Sequence, residues 1–265
     1  MESGFSETVQ VEFSLAVGAG RLDASVDVPA GDVTLTQILP VIQNLTSNLV
    51  GSAVEQVNRE GYQISCKAGC GACCRQLVPL SIFEAEWMAE WIRSLPTEQQ
   101  AALEARFHAA LIQLRERGML ERITSAKLEQ DEVEKQQLSA DYLKAWVACP
   151  FLVNESCSIH PIRPLICREY LVTSPAEYCK APGELPVVGV PMPVRPSKAL
   201  FYMGAELENN PYGWIPLVFL FAWMKSGAKP GDSIAGPGPE VLFRFVEELA
   251  KVGNLGELED GGPLG

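Results

Sequence analysis

Basic side chains are in short supply: 21 Lys and Arg stand against 33 Asp and Glu in 265 residues, a formal net charge of −12 with a pI near 4.7. Holding a polyanion needs a basic face from which counterions can be released, so DNA and RNA are excluded as the main partner. Long apolar runs are missing as well. The most apolar later stretch, Trp214 to Met224, is about half of the roughly 20 residues a membrane-spanning helix requires; it reads as a buried helix, and no membrane partner is expected. Met1 to Gln10 includes Glu2 and Glu7 and has no basic residue ahead of an apolar run. No secretory signal is read there, and a cytoplasmic location is expected. Neither a GxxxxGK[ST] phosphate loop nor a GxGxxG after a strand occurs, and no repeat or low-complexity linker is visible.

The composition itself is that of a globular protein, with 47% hydrophobic and 20% charged residues. A chain of this length buries a core without covalent staples. Val11, Phe13, Leu15 and Val17, then Leu22, Ala24, Val26 and Val28, alternate on either side of Gly18-Ala19-Gly20, the pattern of a β-hairpin. The period then changes. Leu35, Ile38, Ile42, Leu45 and Leu49 fall at helical spacing, with Pro40 expected to kink the first turns and Gly61 to stop the helix. Ser81 to Glu84 reads as a capping box opening a helix with Phe83, Trp87, Trp91 and Leu95 on one face. Thr97 to Gln100 reads as a second box, followed by Leu103, Phe107, Leu111 and Leu114 and a stop at Gly118. Residues 131–147 give another amphipathic helix through Leu138, Tyr142 and Trp146. Residues 148–196 read as an ordered, proline-rich loop held by something other than periodic packing. Val241, Leu242, Phe245, Val246 and Leu249 form a last helix before Gly253. The expected architecture is mainly α, a helical domain around a cysteine-rich metal centre with an N-terminal β-hairpin: residues 1–61 hairpin plus helix, 62–256 cysteine-cluster domain, 257–265 disordered tail.

The cysteines carry the chemistry. There are eight: Cys66, Cys70, Cys73 and Cys74 within nine residues, then Cys149, Cys157, Cys167 and, slightly apart, Cys179. Disulfide frameworks belong to exported, usually small domains, so four bridges are not expected. Thiolates at this density select zinc or an iron–sulfur cluster over hard cations, and Gly69 and Gly71 give the first loop the freedom a tight ligand turn needs. All eight cysteines are candidate metal ligands. They exceed the four that one tetrahedral ion or one cubane takes, so two sites, a bridged polynuclear site, or one site with additional working cysteines all stay open. Buried thiolate centres are anionic, and Lys67, Arg75, Arg163 and Arg168 stand next to the candidates as counter-charges. His160 is a weaker candidate ligand; His108, between Phe107 and Leu111, is expected at the core boundary. Tyr170 is read as a packed aromatic.

With CxxxCxxCC at Cys66 to Cys74, CPFL at Cys149 to Leu152, Cys157-Ser158-Ile159-His160 and RPxxCRxY at Arg163 to Tyr170, the chain resembles the YkgJ-type cysteine-cluster family, described both as zinc- or iron-chelating and as containing iron–sulfur clusters. The resemblance covers roughly 66–170. It implies a metal or iron–sulfur centre on the first seven cysteines, and the relation to flagellin lysine N-methylase adds an alternative: group transfer, such as protein-lysine methylation, supported by the centre. His160 stands where relatives often have Tyr, and Cys179 lies outside the shared motifs. Cys66, Cys70 and Cys73 also have the CxxxCxxC spacing of radical S-adenosylmethionine enzymes, but the βα alternation of their barrel is missing and no motif supports that cosubstrate. The function expected is metal binding with a redox, structural or protein-handling role, the partners being a metal ion and another protein.

Overall fold

The computed structural model describes residues 7–17, 20–124, 132–182, 184–207 and 212–255. Strands β1 (Thr8–Val17) and β2 (Gly20–Pro29) pair antiparallel, with Val11 opposite Val26 and Leu15 opposite Leu22. The alternation puts Val11, Leu15, Val26 and Val28 on the buried face. The hairpin is as expected; its turn at 18–19, like the tail 257–265, lies outside the described residues.

After β3 (Asp32–Thr34), helix α1 runs over Leu39–Arg59. It begins later than the apolar spacing suggests. Leu35 and Ile38, both fully buried, belong to the preceding turn, where the Leu35 amide donates to Ile234. Pro40 therefore sits in the first helical turn and produces no kink, because amides there have no intrahelical acceptor to lose. Gly61 ends the helix region in a left-handed conformation (φ 89°).

Strand β4 (Pro79–Ser81) leads into α2 (Ile82–Ser94) through a complete capping box: the Ser81 hydroxyl accepts from the Glu84 amide, and the Glu84 carboxylate accepts from the Ser81 amide. Helix α2 is the centre of the molecule, with Phe83, Ala85, Met88, Ala89 and Ile92 all at or near zero exposure. Fully burying a side chain the size of Phe or Met is worth roughly 1.5–3 kcal/mol, so this helix anchors its surroundings. Glu84 and Glu86 are buried on it too, and both are spoken for. Glu86 accepts from the Thr36 hydroxyl and the Gly231 amide, each at 2.8 Å.

Helix α3 (Thr97–Glu116) has Pro96 as its cap without a side-chain bond; Gln100 instead donates to the Arg93 and Leu95 carbonyls, so the second capping box is not formed. The short α4 (Leu120–Ile123) and α5 (Glu132–Ala145) follow. Within 148–196 lie β5 (Leu152–Val153), β6 (Ser156–Cys157), α6 (Leu165–Glu169) and two single 3-10 turns, so this stretch is more structured than an irregular loop. The segment Trp214–Met224 is not one helix. Strand β7 (Trp214–Pro216) pairs with β4, one 3-10 turn covers Leu217–Phe219, and α8 is only Leu220–Met224, because pairing with β4 takes the first residues of the run as a strand. Before it comes α7 (Pro196–Ala205); after it, β8 (Ala235–Pro237) pairs with β3, and α9 (Gly238–Leu255) runs on through Gly253.

The result is mainly helical with a small β-hairpin, and the strands described form four two-stranded units and no barrel. One continuous core joins β1 and β2 to α1, α2, α7 and α9 and includes Phe151, Ile159 and Leu165 from the cysteine-bearing segment; a second, with Leu114, Leu138 and Tyr142, joins α3, α4 and α5. No helix among the described residues is long and apolar enough to cross a membrane.

Candidate metal centre

All eight cysteines are free thiols, seven of them half-buried and Cys179 buried. They arrive on two chain segments that backbone and side-chain bonds stitch together. The first begins after α1, where the Ser65 amide donates to the Val172 carbonyl and its hydroxyl to the Thr173 carbonyl. Cys66 accepts a hydrogen bond at its Sγ from the Val172 amide (3.4 Å). A turn closed by the Cys70 amide on Lys67 follows, with Gly69 at φ 86°, a conformation only glycine adopts without strain. Cys73 and Cys74 start a 3-10 turn ending at Arg75.

The second segment starts with Cys149, whose amide donates to the Cys74 carbonyl at 2.7 Å. Strands β5 and β6 then form a tight hairpin in which Asn154 and Glu155 are both left-handed (φ 50° and 57°), the turn that matches strand twist. This pairs Leu152 with Cys157. Arg75 locks the hairpin onto the first loop. Its guanidinium makes a two-pronged contact with Glu155 (2.6 and 2.8 Å), donates to the Gly71 carbonyl and lies 4.7 Å from the Trp146 ring centroid. A Cβ at Gly71 would come within 2.4 Å of Glu155 Oε2 and 2.8 Å of Arg75 Nη1, so a larger residue there would push the tips of the clasping side chains aside. Cys167 rides on α6, whose first amide, Leu165, donates to Glu84 Oε1 at 2.7 Å. Cys179, in the 3-10 turn Ala176–Lys180, packs with Ala72 and Val172 against Cys66 and Cys70.

The two segments thus bring all eight candidate residues into one region. The thiols acting most strongly on Cys179 are Cys66, Cys70 and Cys73. Those acting on Cys167 are Cys149, Cys73 and Cys157. Cys73 is common to both groups. Among the described residues, no three or more His, Cys, Asp or Glu side chains stand together in coordinating geometry. The protonation of the thiols is consistent with that. Burial pushes Cys149 up to about 12 and Cys179 to about 11, and it raises Cys66, Cys157 and Cys167. Neutral thiols neither repel one another nor draw together around a charge. Cys73 and Cys74 are the exception. They share a hydrogen bond in which the proton stays on Cys74; this bond lowers Cys73 and raises Cys74, burial opposes the first shift and adds to the second, and Arg163 helps to lower Cys73.

Arg163 is the cation that acts on the most thiols, while Arg75, Arg168 and Arg106 each act on one. Arg163 acts on Cys66, Cys73, Cys157 and Cys167, and its Nε is buried without a hydrogen-bond partner. A buried donor left unpaired costs about 1–3 kcal/mol. An anionic thiolate–metal centre beside it would supply the missing counter-charge, so the donor set and its surroundings fit the group the cysteines point to. The other basic candidates are placed differently. Lys67 is exposed and Arg75 is held by Glu155. Arg168 donates to the Arg163 and Pro161 carbonyls and to Ser47 of α1, so it braces the turn before α6.

His160 is exposed, and Arg163 beside it, followed by burial, pushes its pKa down. His108 is exposed on α3. Tyr170 is more than a packed aromatic: its hydroxyl accepts from Gln76 at 3.4 Å and is bonded to Cys179, while burial pushes it up to about 12. Glu84, by reaching Leu165, is a supporting residue that the capping-box reading alone does not reveal. Its Ser-x-x-Glu signal is in the sequence, but its second partner is 81 positions away.

Comparison with curated proteins and with solved structures finds no match. A family model does match residues 65–183, a span that takes in all eight cysteines and leaves out the hairpin, α1 and the C-terminal helices. Its label writes CxxCxxCC, where this chain has three residues between Cys66 and Cys70. That matching model is CxxCxxCC, described as a putative zinc- or iron-chelating domain, which the YkgJ-type label fits.

Proposed function

We propose that the protein holds an iron–sulfur cluster or zinc on its cysteine centre and serves a redox, structural or protein-handling role, with iron–sulfur the preferred occupant. The observation that carries this is eight free thiols brought by two clasped segments, 66–74 and 149–179, with Arg163, whose buried Nε is unpaired, acting on four of them. Cys66, Cys70, Cys73, Cys74, Cys149, Cys157, Cys167 and Cys179 are the ligand candidates. Bound there, iron–sulfur would supply one-electron transfer and zinc would supply cross-linking of the two segments or Lewis acidity. The chain's own contribution is to bring the thiols together on two clasped loops, half-buried against apolar packing, and to set Arg163 against their charge. No observation on the described residues favours the group-transfer alternative, with or without S-adenosylmethionine.

The test is metal and acid-labile sulfide content, with an absorption spectrum, on protein purified without oxygen. Iron with matching sulfide supports the preferred occupant, and zinc alone supports the structural form. Absence of both metals refutes the proposal. Cys70→Ser and Cys149→Ser, one from each segment, are expected to lower bound metal and thermal stability together, since metal binding is coupled to folding.

A further inference from the structure

The eight thiols are not one undivided group. Cys66, Cys70 and Cys179 pack in a small cluster of their own with Ala72, Val172 and Tyr170, whereas Cys149 and Cys157 pack against the main core. The fold keeps these places apart. The Val172 amide anchors Cys66 on one side; on the other, the Cys149 amide bonds to the Cys74 carbonyl and the β5–β6 hairpin positions Cys157. Between them lies the 3-10 turn that starts with Cys73 and Cys74. Cys73, in that turn beside Cys74, is the thiol whose charge acts on members of both groups: Cys66 and Cys179 on one side, Cys74, Cys149, Cys157 and Cys167 on the other.

We propose that the domain takes up two thiophilic metal ions side by side, one on Cys66, Cys70, Cys73 and Cys179 and the other on Cys74, Cys149, Cys157 and Cys167, with Cys73 at the junction facing both. This rests on the metal-binding reading above and gives it a number and a ligand assignment. Eight thiols are two complete tetrahedral sets, which accounts for the excess over a single site. It also gives Cys179 a role, although it lies outside the CxxxCxxCC loop. Eight thiolates around two divalent ions carry a net charge of about −4. Arg163 stands against both sets, through Cys66 and Cys73 on one side and Cys157 and Cys167 on the other. A half-buried cation shared by both offsets part of the charge of two adjoining anionic centres.

The experiment is native mass spectrometry of the full chain, reduced and loaded with zinc alone. The unaltered protein is expected to carry two zinc ions, Cys70→Ala and Cys167→Ala one each, and the double variant none. Cys179→Ala should match Cys70→Ala; because Cys179 is buried, Cys70 in its half-exposed turn keeps the test standing if the Cys179 variant does not fold. One zinc per unaltered chain, or loss of both ions or of neither in Cys70→Ala, overturns the division into two sets while leaving metal binding intact. No zinc on the unaltered chain overturns the two-ion assignment, and the metal-binding reading falls with it only if protein purified without oxygen also lacks iron.

Discussion

Glu84→Ala separates a helix cap from a support of the metal centre. In the intact protein the Glu84 carboxylate, 2% exposed, accepts from the Leu165 amide at 2.7 Å, the Ser81 hydroxyl at 2.8 Å and the Ser81 amide at 3.2 Å. Truncation leaves the two amides without an acceptor in the core, at about 1–3 kcal/mol each. Part is returned, because burial is the largest influence on this carboxylate and raises its pKa, so removing it relieves a desolvation penalty. The Ser81 hydroxyl still caps the backbone amide at position 84, which keeps half of the box. The net loss is ~2–4 kcal/mol, a large share of a typical ~5–15 kcal/mol stability, and corresponds to a melting temperature lower by ~4–16 °C. Ser81→Ala, which removes only the cap, should lose ~1 kcal/mol. The second readout is local. With Leu165 released, α6 loosens, and alkylation of Cys167 in metal-free protein, followed by mass spectrometry, should accelerate relative to Cys70. If Glu84→Ala is no more destabilising than Ser81→Ala and Cys167 reacts at its original rate, the link from α2 to the cysteine segment carries no weight.

Arg163→Met should weaken metal binding by roughly 10-fold or more, with Arg163→Lys in between, as expected when a supporting group around a metal is lost; competition with a chromophoric chelator measures it, and equal affinities in all three proteins would exclude Arg163 as the counter-charge. Glu169 accepts from the Ser197 amide at 2.7 Å and hydroxyl at 2.6 Å, and burial pushes it up to about 7 from an ordinary value of 4.5. A raised carboxyl gives stability that is complete below pH 4.5 and is lost as pH rises through 7, because the unfolded chain releases its proton first. Urea unfolding of metal-free protein at pH 4.5 and pH 8 should show a contribution of ~3 kcal/mol from this residue, absent in Glu169→Gln; an unchanged slope in the variant would place the dependence elsewhere. The same sign applies to the thiols. Metal-free protein should lose stability between pH 9 and 12 as thiols held neutral by burial are outcompeted by ionised ones in the unfolded chain, and metal loading should remove that loss.

The cysteine spacing fixed the candidate ligands from the sequence alone, because thiols four within nine residues, set among Gly and Ala, have little use as packing. The β-hairpin was legible from strict alternation and α2 from Ser81 and Glu84, both local signals whose partners lie within a few residues. Where a local signal had two outcomes, the sequence could not choose. Pro40 could kink a helix or open one, and Gln100 could close a box or cap the end of the preceding helix; packing of Leu35 and Ile38 and the Arg93 and Leu95 carbonyls decided. The run Trp214–Met224 is apolar enough for a buried helix, but pairing with β4 takes its first residues as a strand. At the centre, sequence named the thiols and the neighbouring cations without ranking them. Only the fold placed Cys179 beside Cys66 and Cys70, put Arg163 among the sulfurs with an unpaired nitrogen, and committed Arg75 to Glu155, since each of those contacts joins residues far apart in the chain and depends on how the two clasped loops meet.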